Sequence, residues 1–284
     1  MTRLDPAWLD VQYDNRARVP DHPRLFEQWA RESAIARERF SRRLDIAYGE
    51  TPAETLDLFP SVRDGAPVLV FIHGGWWRAF DKRDHSFVAP AFTREGAMVV
   101  VPNYALAPSV TIETIALQMT RAVAWTWRHA ALYGGNPGRI VVAGHSAGGH
   151  LTAMMLSCRW PAVGADLPQN LLAGGLSVSG VFDLEPLRHT PFLRESLRLT
   201  PASARRLSPV HFPPTSVPLY ATAGAEESEE FLRHNTLIRD AWGENAVPVC
   251  ESIAGAHHFD VLDDFTDPHG RLHRLALQLL GLSA

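Results

Sequence analysis

From residue 68 onward the chain alternates short, almost wholly apolar runs with longer segments of helical periodicity. The runs are Val68 to Ile72, Met98 to Val101, Ile140 to Ala143, Leu172 to Val178, Leu219 to Ala223 and Val247 to Ile253. Each has strand length, and a strand apolar at successive positions is covered on both faces. Between them, Ser86 to Arg94, Thr111 to Tyr133, Gly149 to Cys158, Ser228 to Trp242 and Gly270 to Leu280 have helical length and spacing. This alternation predicts an α/β fold with a mostly parallel central sheet and helices on both faces.

Two earlier segments follow a different rule. Leu44 to Tyr48 and Thr55 to Phe59 alternate apolar and polar positions, which predicts half-solvated antiparallel strands, with a turn at Val62-Arg63-Asp64-Gly65. Residues 1–41 read as an N-terminal arm ending in an amphipathic helix from about Pro23 to Phe40, with Leu25, Phe26 and Trp29 on its apolar stripe. Residues 182–214 interrupt the later alternation with six prolines and predict a small cap-like excursion of short helices and turns. It leaves the carboxyl end of a strand, where sheets of this kind bind ligands. A single domain over residues 1–284 accommodates all of this.

Composition narrows the partners. With 27 basic and 31 acidic residues the formal charge is −4, and no long Lys/Arg run is present. That argues against a nucleic-acid partner or an anionic membrane surface and leaves a small molecule as the expected partner. Cys158 and Cys250 are too few for a disulfide framework and belong to no Cys-x-x-Cys pair, so both are expected as buried thiols. No apolar stretch has signal-peptide or membrane-span length, and the expected location is cytoplasmic. The number of copies is left open, a homodimer being one arrangement.

The chemistry centres on Gly144-His145-Ser146-Ala147-Gly148, a G-x-S-x-G pentapeptide after an apolar strand and before an apolar helix. A serine hydroxyl is a weak nucleophile unless held exposed on a sharp turn, and flanking glycines permit that bend. Upstream, His73-Gly74-Gly75-Trp76-Trp77 ends another buried run. Its backbone N–H groups at Gly75 and Trp76, with that of Ala147, are candidate donors to an oxyanion formed when Ser146 attacks a carbonyl. His73, lying in an unrelated element before the serine, is read as a residue that fixes the loop.

A base is expected after the last strand, at His257 or His258. Its carboxylate is expected after the preceding strand, where Glu226, Glu227, Glu229 and Glu230 cluster; Glu227 is the choice, with Asp183 and Asp260 as alternatives. The remaining glutamates read as a solvated helix N-terminus. The order serine, acid, histidine is that of the α/β-hydrolase triad. Trp76, Trp77, Tyr104 and Phe182 are candidates for an aromatic pocket, with core packing as the other reading. There is no P-loop, no G-x-G-x-x-G after the first buried strand and no H-E-x-x-H, so neither cofactor nor metal is inferred.

These residues resemble the kynurenine formamidase (arylformamidase) family of α/β hydrolases, which is similar to hormone-sensitive-lipase-type esterases. His73 to Trp77 looks like the family's HGGYW motif, with Trp76 where tyrosine is common. Gly144 to Gly148 looks like its nucleophile elbow. Glu227 to Phe231 resembles its acid segment, often D-S-P-E-F, and His258-Phe259 its terminal H-F. Tyr13 to Pro20 looks like the N-terminal segment of bacterial members. The resemblance selects His258 and Glu227 as partners of Ser146 and implies metal-independent hydrolysis of an aryl formamide such as N-formylkynurenine. The alternative is a short-chain carboxylesterase. Two readings of another class are an acyl-enzyme transferase, which needs a pocket for an acceptor other than water, and a hydrolase-fold binding protein that has lost catalysis. Degenerate members of that last kind usually lack a triad residue, whereas candidates for all three are here.

Overall fold

The computed structural model describes residues 4–282. Eight strands form one sheet: β1 (Arg43–Ala47), β2 (Thr55–Phe59), β3 (Ala66–Ile72), β4 (Met98–Pro102), β5 (Gly135–His145), β6 (Leu172–Val178), β7 (Leu219–Gly224) and β8 (Val249–Ile253). Their spatial order is β1-β2-β4-β3-β5-β6-β7-β8. Strands β3 to β8 are parallel, and β2 runs antiparallel to both β1 and β4.

The near-continuous apolar runs divide their side chains between two cores. Val68, Val70 and Ile72 of β3 enter one, and Leu69 and Phe71 enter the other; β4 and β5 split in the same way. Thirteen α-helices are described. Three precede β1: α1 (Pro6–Tyr13), α2 (Asn15–Arg18) and α3 (His22–Arg39). They are followed by α4 (Ala89–Glu95), α5 (Ile112–His129), α6 (Ala147–Leu156), α7 (Trp160–Val163), α8 (Glu185–His189), α9 (Pro191–Leu197), α10 (Pro201–Arg206), α11 (Glu229–Trp242), α12 (Val261–Thr266) and α13 (Arg271–Leu280). Helices α1, α5, α6 and α11 pack into the first core; α3, α4, α12 and α13 pack into the second. A fully buried leucine in either contributes about 1.5–3 kcal/mol through removal of apolar surface from water.

Strand β2 departs from the half-solvated expectation. Its Asp57 is buried because the ammonium of Lys82, itself buried, donates to Asp57 Oδ1 at 2.6 Å and to Asp45 Oδ1 at 2.6 Å. A polar position that reads as solvent-facing is thus paired internally, through Oδ1, with a lysine distant in sequence. Both cysteines are half-buried rather than buried: Cys250 lies on the edge strand β8 and Cys158 just beyond the end of α6.

Candidate active site

Strand β5 ends at His145 and α6 begins at Ala147, so Ser146 alone makes the turn, with φ 57° and ψ −117°. A non-glycine residue there stores about 1–3 kcal/mol of strain. Neighbouring groups hold it in place. Ser146 N–H donates to the Val178 carbonyl at 2.8 Å. The bend brings backbone so close that a Cβ at Gly148 would collide with the Ile72 carbonyl, and one at Gly144 with the Gly148 carbonyl. The serine is only 2% exposed, against the expectation of an exposed elbow, because it opens into a cavity roofed by the N-terminal arm.

The loops after β7 and β8 bring a carboxylate and an imidazole to this turn. His258 Nδ1–H donates to Glu227 Oε2 at 2.6 Å, which leaves Nε2 to accept the Ser146 hydroxyl at 3.1 Å. The second carboxylate oxygen, Oε1, accepts the Ser179 hydroxyl at 2.5 Å and the Gly224 N–H at 2.7 Å. Ser179, at the carboxyl end of β6 with φ 55°, carries no motif that would have singled it out. His145 Nε2–H donates to the His258 carbonyl at 2.7 Å. Burial, and secondarily the His258 charge, hold His145 well below the ordinary histidine value, so it serves as a neutral donor. His257 instead faces a local turn, its Nδ1 accepting the N–H groups of Phe259 and Asp260 at 3.2 Å each. Asp260 accepts the His257 N–H, and Asp183 accepts the Glu185 N–H; neither carboxylate meets the His258 ring.

The loop after β3 bends through Gly75, Trp76 and Trp77 at φ 105°, 52° and 55°. Trp77, fully buried, anchors it by packing edge-on against His150 and accepting the Ala107 N–H at 2.8 Å. Tyr104 stacks on His73 at 4.2 Å between ring centroids and donates its hydroxyl to the His73 carbonyl at 2.9 Å. His73 is pushed down to about 4 by burial and stays neutral behind the loop. The N–H groups of Gly75 and Trp76 take no part in the loop's backbone hydrogen bonds among the described residues. That of Ala147 occupies the first position of α6, where a helix has no internal acceptor.

Residues 69–206 match the family model of the α/β-hydrolase fold. A solved protein of a Silicibacter species, 29% identical, superposes with a TM-score of 0.82 over 96% of this chain and 98% of its own. The chain has the α/β-hydrolase fold. A Pyrobaculum calidifontis esterase, 18% identical over 90% of this chain and 91% of its own, shares the fold with a TM-score of 0.67. The zebrafish (Danio rerio) kynurenine formamidase is 28% identical to the hydrolase over 84% of this chain and 82% of its own length. The Mycobacterium tuberculosis esterase LipQ is 30% identical over 76% of this chain and 57% of its own.

The cavity above Ser146 encloses about 660 Å³. The hydrolase builds its wall differently from the sequence expectation. Of the four aromatic candidates only Trp76 reaches it. Trp77 and Tyr104 are loop anchors in the core, and Phe182, fully buried, packs near His234. In their place stand Phe26 and Trp29 of α3, Phe80 of the loop after β3 and Phe192 of α9. The arm supplies most of the roof and the excursion only Phe192, so the excursion caps less than its position suggested. Glu230, expected in solvent, is fully buried: it accepts the Tyr13 hydroxyl at 2.7 Å and pairs with Arg233, tying the arm to α11.

Proposed function

We propose that the protein is a metal-independent serine hydrolase of small esters or amides with compact acyl groups, an aryl formamide such as N-formylkynurenine being the favoured substrate. Ser146 Oγ attacks the carbonyl carbon while His258 Nε2 takes the hydroxyl proton, and Glu227 stabilises the imidazolium so formed. The N–H groups of Gly75, Trp76 and Ala147 receive the developing oxyanion. Collapse of the tetrahedral intermediate breaks the bond to the leaving amine or alcohol, to which His258 returns the proton. Water, deprotonated by the same imidazole, then releases the acid and restores Ser146.

The observation that carries this reading is the unbroken line Glu227 to His258 to Ser146 ending at a cavity that Ser146 and His258 both line. The likeness to the zebrafish formamidase along most of both chains favours the formamide. The 30% identity to a mycobacterial esterase favours the second reading, a short-chain carboxylesterase. Turnover of N-formylkynurenine, p-nitrophenyl acetate and p-nitrophenyl octanoate decides between them. The formamide is expected to be fastest by kcat/KM; acetate ahead of formamide would favour the esterase, and octanoate ahead of both would contradict the compact acyl group.

A further inference from the structure

We propose that the excursion over residues 182–214 acts on catalysis through the loop after β3, with His150 and Arg78 as the positioning residues that connect the two. This rests on the hydrolytic reading above and goes beyond it by assigning a task to a segment that contributes only Phe192 to the cavity. Trp76 and Trp77 hold φ of 52° and 55°, a region that side chains with a Cβ avoid, so the loop keeps its shape only where its surroundings impose it. The Gly75 and Trp76 N–H groups depend on that shape to face an oxyanion. Part of the restraint is local: the Arg78 N–H closes a turn onto the Gly75 carbonyl at 3.0 Å, and the Ala107 N–H holds the Trp77 carbonyl at 2.8 Å. Further restraint comes from the excursion, by two routes. The first is Arg78, whose Nη1 donates to the Phe192 carbonyl at 2.8 Å and to Ser196 Oγ at 3.1 Å. Its guanidinium lies 5.4 Å from the centre of the Phe192 ring, which itself meets Trp76 edge-on at 6.3 Å.

The second route is His150. Its ring, fully buried, meets the Trp77 indole edge-on at 4.9 Å between centroids, while Nε2–H donates to the Leu207 carbonyl at 2.8 Å. That carbonyl stands at the carboxyl end of α10, where a helix leaves its carbonyls without internal donors. Burial pushes His150 down to about 4, so the ring is neutral and Nε2 carries its one proton. Nδ1 then has no hydrogen-bond partner among the described residues, and neither has Trp77 Nε1. An unsatisfied buried nitrogen is costly; an apolar side chain would avoid that cost but could offer the Leu207 carbonyl no donor. The Trp77 side chain, without a hydrogen bond of its own, is placed by packing alone, and the His150 ring is one side of that packing. His150 N–H also donates to the Ser146 carbonyl at 3.1 Å, in the first turn of the helix that carries the Ala147 N–H. One residue thus touches the support of both halves of the oxyanion hole, and the excursion fixes where it stands.

The test measures kcat and KM on p-nitrophenyl acetate and the affinity for 2,2,2-trifluoroacetophenone, with acetophenone as the unactivated control. In the trifluoroketone adduct Ser146 Oγ bonds to the carbonyl carbon, its proton passes to His258 Nε2, and the carbonyl π pair becomes an oxyanion, so this affinity reads the placement of the donors. His150→Phe keeps a ring against Trp77 and loses the donor to Leu207. It is expected to lower kcat by about ten- to a hundred-fold, to weaken the trifluoroketone by a like factor and to change KM by less than about two-fold. His150→Gln, which keeps that donor, should recover most of the loss. Arg78→Met should lower kcat and trifluoroketone affinity together from the other end of the brace, and it carries the test if circular dichroism shows His150→Phe unfolded. Wild-type turnover with kcat and trifluoroketone affinity unmoved in both variants, or a change confined to KM or melting temperature, overturns the brace and keeps the hydrolase. A wild type that neither turns over the ester or N-formylkynurenine nor binds the trifluoroketone more tightly than acetophenone sinks the hydrolytic reading, and the brace with it.

Discussion

Type, order and resemblance single out Ser146, His258 and Glu227, and in the folded chain the His258 ring lies within hydrogen-bond reach of both the serine and the carboxylate. The pentapeptide was legible because few backbones accommodate a strained serine between two obligatory glycines. Ser179 was not, because a hydroxyl that orients a carboxylate from another strand leaves no local pattern. Ser146→Ala should lower kcat by about 10⁴ to 10⁶ with little change in melting temperature. His258→Ala should lose on the order of 10⁴, since it removes the proposed base, whereas His257→Ala should lose far less. Glu227→Ala should fall between them. Steady-state rates on one good substrate rank the series; a larger loss for His257→Ala than for His258→Ala would reassign the base.

At the scale of elements, strands β3 to β7 are readable because burial on both faces leaves apolar runs of strand length between helix-length segments, whereas β8, at the sheet edge, is only half-buried against the expectation of cover on both faces. Strand β2 was misread as half-solvated because Lys82 neutralises its central aspartate from a separate segment. The arm's role as a roof was hidden for a related reason: an amphipathic helix shows that it packs, and not which cavity it covers. Lys82→Met should destabilise by about 3–5 kcal/mol in urea unfolding, because it leaves Asp57 buried without its cation. Adding Asp57→Leu should restore much of the loss, and a Lys82→Met protein as stable as the wild type would show the pair to be dispensable. Tyr13 ties α1 to α11: its hydroxyl donates to Glu230 and lies 3.0 Å from His234 Nε2. Tyr13→Phe removes a buried hydrogen bond to a charged carboxylate, costing about 1–3 kcal/mol. It should raise KM more than it lowers kcat, because the arm carries the cavity wall rather than the reacting groups.

For the whole molecule, burial keeps several histidines neutral: His73 and His150 are pushed down to about 4, His85 to about 3, and His145 well below its ordinary value. Below an unfolded-state value of about 6.5 the unfolded chain binds protons that the folded chain does not. Stability is therefore full above that pH and falls as the solution is acidified toward the folded-state values near 4. Each such histidine adds a slope of up to about 1.4 kcal/mol per pH unit. Urea unfolding at pH 7 and pH 5 should show a marked loss at the lower pH, and His150→Gln, able to keep a donor toward the Leu207 carbonyl, should reduce it by about one proton's worth. Equal stability at both pH values would contradict the buried neutral histidines.

The tie between the arm and α11 also sets an order of events. The Tyr13 hydroxyl meets partners 217 and 221 residues further along the chain, so this tie of α1 cannot close until α11 has been made. Contacts of such separation form late, because the intervening loop must be ordered before they repay its closure. Most of the sheet can assemble while that tie is still open. In a refolding experiment far-UV ellipticity should therefore return before turnover does, and the lag between the two signals measures the time the arm takes to find its seat.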